Sequence, residues 1–110
     1  MVHKAQANRA PTNLSGVPGD YRKRAADIIK RGTSYKIRDA QISKPMELWA
    51  GIQWGGQLPG VCVLIFRDNP FGTVVRDTWQ ITFKSGAVAG AGYANIECKN
   101  TTKFHEVLER

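Results

Sequence analysis

The chain has 110 residues, 42% of them hydrophobic and 23% charged, which supplies one modest core but not two. Sixteen Lys and Arg against nine Asp and Glu give a formal charge of +7, so an acidic partner is favoured while the fold is left open. No apolar run reaches the ~18 residues of a membrane helix, and the start Met1-Val2-His3-Lys4-Ala5-Gln6 is too polar for a signal-peptide core. The expected location is cytoplasmic, or an intracellular host compartment if the chain is viral.

Residues 1–17 mix Gln, Asn, Arg, Pro, Ser and Gly with scattered apolar residues. Without a period there is no face to bury, so a flexible basic arm is expected there, followed by a single α+β domain over 18–110. Asp20 is placed to cap a helix running to about Arg31, Gly32 to stop it, and Asp27 lies one turn from both Lys23 and Arg31. At about 100° per residue, Tyr21, Ala25, Ile28 and Ile29 form a core-facing stripe. Arg22, Lys23, Arg24, Lys30 and Arg31 occupy the other side.

Beyond Gly32 the period shortens. Tyr35 and Ile37 alternate with Ser34, Lys36 and Arg38, a short strand that adds two cations to one face. Pro45 ends it. From Met46 to Trp54, two Trp, Ile52 and Gly51 favour a strand over a helix, with Trp49 on the polar side. Gly55–Gly60 is a loop by composition. Val61–Phe66 is apolar on both faces and should be a central strand covered on both sides. Asn69-Pro70-Phe71-Gly72 suits a turn. Trp79, Ile81 and Phe83 alternate with Thr78, Gln80 and Thr82, a half-buried strand in a hairpin with the central one. After the turn Lys84-Ser85-Gly86, the small residues Ala87–Gly92 suggest a turn or bulge. Alternation resumes over Tyr93–Lys99, with Ala94, Ile96 and Cys98 inward and Tyr93 outward. The end, Lys103–Arg110, is too short to settle helix against strand.

The expected fold is α+β: an N-terminal amphipathic helix on a small antiparallel sheet of four to five strands. A strand apolar on both faces needs two covers, and the helix supplies one. The other comes from the C-terminal segment or from a second subunit, which makes a homodimer one expected solution.

Little in the chain resembles a catalytic or metal motif. His3 and His105 are the only histidines, and with Cys62 and Cys98 they offer no zinc-ligand spacing. No metal and no cofactor are expected. Both cysteines fall in apolar strand alternation, which predicts reduced, buried, inert thiols. Gly86–Gly92 lacks the Gly-Lys-Ser/Thr of a phosphate loop. A small basic ribonuclease would need His105 with Glu106 or Glu109, and Arg67 or Arg76, to meet, and no spacing enforces that. The balance leans away from an enzyme.

Residues 1–40 hold nine Lys and Arg against three Asp, so a partner attracted by charge should meet this third of the chain. The leading expectation is a non-catalytic binder of RNA or single-stranded DNA. Arg22, Lys23, Lys30, Arg31, Lys36 and Arg38 would contact phosphates, and Trp49 and Tyr93 would stack bases. The alternative is a small oligomeric assembly protein, such as a viral, phage or accessory factor, acting through protein–protein contacts.

Overall fold

A computed structural model describes residues 14–108; most of the expected arm, residues 1–13, lies outside the described residues. The fold is α+β, one helix on one antiparallel sheet. α1 spans Tyr21–Gly32; Ala25 and Ile29 of the predicted stripe are buried, Tyr21 and Ile28 are half-buried against the core, and Ala26, outside that stripe, is buried as well. Asp20 stands at the N-cap position without a side-chain cap bond; its carboxylate instead accepts a hydrogen bond from Arg24 Nε at 2.8 Å. Ahead of the helix, Gly16 accepts a hydrogen bond from Gly86 N at 2.9 Å, and Val17 packs on the core.

The sheet has six strands, more than the four or five expected. They are β1 (Ile37–Ser43), β2 (Met46–Gly51), β3 (Gly56–Asp68), β4 (Val74–Lys84), β5 (Ala87–Tyr93) and β6 (Thr101–Lys103). Their order is β5-β4-β3-β1-β6, with β2 also on β3. β1 and β2 lie end to end along one side of β3: Ile37–Ile42 face Arg67–Val63, and Met46–Gly51 face Gly60–Gly56. The interruption at Lys44-Pro45 follows from proline's missing N–H. Ser43 bridges the gap, its Oγ accepting from Cys62 N at 2.9 Å. Register shifts near Arg38 and Ala50 add twist to this long hairpin. The region expected as a loop, 55–60, is therefore largely the start of β3.

β3 and β4 pair without a shift from Gly60↔Thr82 to Asp68↔Val74. Their turn is held by Asn69, whose Oδ1 accepts from Phe71 N and Thr73 N, both at 3.0 Å. The β4–β5 turn places Ser85 and Gly86 at φ 53° and 79°, the doubly left-handed geometry that matches strand twist in a two-residue hairpin. Ala87–Gly92 is thus a strand and not a turn, and it carries the bulge that was the other expectation, opposite Thr82 and Phe83. Its small residues carry little intrinsic strand preference, and pairing with β4 imposes the conformation.

Alternation divides the sheet into two faces. Val61, Val63, Ile65, Trp79, Ile81, Phe83, Ala40 and Ile42 meet α1 and Phe104 in one core. Cys62, fully buried, points to the opposite face. From β5 at one edge, the chain returns over residues 94–100 to β6 at the other, and on the way Cys98 forms a disulfide with Cys62. This irregular segment replaces the strand expected over Tyr93–Lys99 beyond Tyr93 itself. It covers the second face of the central strand at Cys62, while Leu64 and Phe66 on that face stay half-buried.

The disulfide also corrects the expectation of reduced thiols, since no free cysteine exists. Cys62 and Cys98 lie 36 residues apart, and only the crossing brings their Cα atoms to 5.5 Å. Disulfides persist in oxidising surroundings, so this bond lends no support to the expected cytoplasmic location. Among the described residues no helix is long and apolar enough to cross a membrane. The C-terminal part forms a single 3-10 turn, His105–Val107, anchored by buried Phe104 and Val107.

Candidate nucleic-acid interface

The six predicted phosphate-binding cations fall into two groups. Arg22 and Arg38 are held by acids that are distant in sequence. Arg22 Nη2 donates to Glu106 Oε1 at 2.8 Å and to the Lys103 carbonyl at 2.7 Å, and its Nη1 to Thr102 Oγ1 at 3.3 Å. Its guanidinium also lies 5.6 Å from the Phe104 ring centre. Arg22 therefore clamps β6 and the C-terminal turn onto α1. Arg38 makes a two-pronged pair with Asp68, 2.8 Å from Nε to Oδ1 and 3.0 Å from Nη2 to Oδ2.

The Arg22 hydrogen bond holds the Glu106 carboxyl below the ordinary glutamate range. A carboxylate with a depressed folded value stabilises the fold fully above its unfolded value of about 4.3 and loses that contribution as pH falls through the folded value. Glu106→Gln is accordingly expected to lower stability at neutral pH and to flatten the acid limb of a thermal-midpoint profile. An acid limb unchanged from wild type would show that the clamp does not couple to folding.

Lys23, Lys30, Arg31 and Lys36 are exposed, and none forms an ion pair among the described residues. Lys23 and Lys30 are seven residues apart, which sets them on the same side of α1 at about 10 Å along its axis. Lys30 and Lys36 line one open cleft of about 330 Å³, together with Thr33, Tyr35, Ile37, Val107 and Leu108. Thr33 Oγ1 is buried there without a hydrogen-bond partner. Arg31 lines a second cleft with Arg24, Asp27, Ile28 and Val88 of β5. Asp27 makes no ion pair with Lys23 or Arg31, contrary to the helical spacing argument.

The two predicted stacking residues are both exposed, Trp49 at 60% and Tyr93 at 67%. They line one open groove of about 380 Å³ with Gln80, Thr82, Gly90 and Ile96. Gln80 Nε2 donates to the Trp49 carbonyl at 2.6 Å and fixes the β2 end of that groove. The Tyr93 ring, however, rests against Trp79 on the α1 side of the sheet, 4.8 Å between centres. None of the predicted cations lines this groove. The structure therefore brings Lys30 and Lys36 to one cleft, sets Lys23 about two turns along the same side of α1 from Lys30, and places the aromatics on a separate groove.

The residues weighed for a ribonuclease do not converge. His105 lies 3.7 Å from Glu106, but Glu106 is engaged by Arg22. Arg67 is paired with Asp77 and stacked 5.2 Å from the Tyr35 ring. Arg76 lines a different cleft, with Leu64, Thr78 and Glu97. Glu109 lies outside the described residues. Among the described residues no group of three or more His, Cys, Asp or Glu side chains gathers.

Sequence reasoning missed the Arg22–Glu106 clamp, which spans 84 residues and has no local signal. It also missed the open edge formed by β5. Comparison of the chain with protein-family models, curated proteins and solved structures returns no match.

Proposed function

We propose that the protein binds single-stranded nucleic acid, RNA or DNA, through phosphate contacts made by Lys23, Lys30 and Lys36. One observation supports this most: these three lysines are exposed and lack ion pairs among the described residues, whereas Arg22 and Arg38 are neutralised within the fold. Cations without carboxylate partners hold counterions that a phosphate backbone releases, and this release drives sequence-independent affinity. The separation of the lysines from Trp49 makes electrostatics the main term and stacking a minor one.

Replacing Lys23 and Lys30 together by Gln tests this. Both sites are exposed and Gln keeps helix propensity, so the thermal midpoint should hold. Affinity for a single-stranded oligonucleotide should fall across all sequences, and the log–log salt slope should shrink by about 0.7 per lost contact. Trp49→Ala should cost less affinity and leave the slope unchanged. If the double variant binds as tightly as wild type, these lysines are not the phosphate contacts.

A further inference from the structure

β5 ends the sheet on one side, and nothing among the described residues covers its outer edge. Ala94 N donates to the Thr78 carbonyl, so by antiparallel alternation Gly92 and Gly90 bond towards β4 while Tyr93 and Ala91 turn their N–H and C=O groups outward. The strand carries no charge and no proline, the devices by which solitary sheets usually protect an edge. Its bulge falls at the start, opposite Thr82 and Phe83, leaving Gly90–Tyr93 regular. That shift also returns Val88 to the same face as Tyr93, and both are exposed.

The adjoining flank of α1 carries the complementary signal. Arg24, Asp27, Ile28 and Arg31 line the cleft beside Val88. Among the described residues Asp27 and Arg31 form no ion pair, although one helical turn separates them. An acid in the middle of this patch disfavours a polyanion and suits a partner that carries both signs.

We propose that the partner is a second copy of this chain, joined by antiparallel β5–β5 pairing about a two-fold axis near Ala91. Such an interface is isologous, each patch meeting itself reversed. Ala91 then lies across from Ala91 of the second copy and Gly90 across from its Gly92, within the regular part of the strand, and Asp27 faces Arg31 of the second copy. Two six-stranded sheets become one continuous sheet with both helices on the same side. Neither Lys23 nor Lys30 lines the cleft beside Val88, so this inference goes beyond the nucleic-acid proposal and does not depend on it.

Sedimentation of the full chain over a dilution series at micromolar concentration tests it. A concentration-dependent dimer is expected. Ala91→Pro removes an outward donor while sparing the ladder to β4, a place where an edge strand accepts proline; it should weaken the dimer at least about tenfold with circular dichroism unchanged. Asp27→Arg should also weaken it, and Asp27→Arg/Arg31→Asp should restore it. The exchange pair decides the matter if Ala91→Pro misfolds. A monomer at every concentration, a dimer indifferent to Asp27→Arg, or a complex whose mass shows a different partner would overturn the proposal.

Discussion

Removing the Cys62–Cys98 disulfide, by reduction or by Cys62→Ala/Cys98→Ala, is expected to destabilise the protein by about 4 kcal/mol, the chain-entropy value for a loop of this length. The bond does more than close a loop. It pins the crossing segment 94–100 against the face of β3 that α1 does not reach. Without it, the fully buried Cys62 position loses its cover and water gains access to the second face. The thermal midpoint should drop by roughly 15–30 °C, given the usual shift per kcal/mol for a domain of this size. Thiol titration of denatured, unreduced protein should find no free thiol. Two free thiols, with a midpoint indifferent to reductant, would contradict the crossing as described.

Gly60→Ala should be the most damaging single methyl in the molecule. Gly60 pairs with Met46 on one side and Thr82 on the other. A Cβ there would overlap the Ile81 carbonyl oxygen and stand 2.9 Å from Leu48 Cδ1 and 3.0 Å from Thr82 Cα. Two of these three neighbours are backbone, so no rotamer change makes room. Displacing β4 or the β2 hairpin should cost about 3 kcal/mol, the upper range for overpacking, and lower the midpoint by roughly 10–25 °C. Gly19→Ala, where a Cβ meets nothing within 4 Å, is the control and should be neutral. Equal midpoints for the two variants would show that β3 has room at this point.

The elements legible in the sequence were those with a local period. Tyr21, Ala25 and Ile29 marked the helix, Trp79, Ile81 and Phe83 marked β4, and Asn69–Gly72 marked the intervening turn. β5 was not legible, because Ala87–Gly92 holds one side chain larger than a methyl, Val88, and a single residue shows no period. Its conformation comes from pairing with β4. The disulfide was hidden for a related reason: the apolar alternation around Cys62 and Cys98 described each burial correctly in part, but their meeting depends on the route from one sheet edge to the other. The same limit applied to the charges. Counting cations located the basic third of the chain, yet Arg22 and Arg38 are answered by Glu106 and Asp68, 84 and 30 residues away. Only the three-dimensional arrangement separates them from Lys23, Lys30 and Lys36.

Salt titration of wild-type binding to a labelled single-stranded oligonucleotide tests the central proposal most directly. Three lysine–phosphate contacts predict affinity that falls as salt rises, with a log–log slope of about −2. No binding even at low salt, where counterion release is strongest, or binding indifferent to salt, would contradict a function carried by Lys23, Lys30 and Lys36.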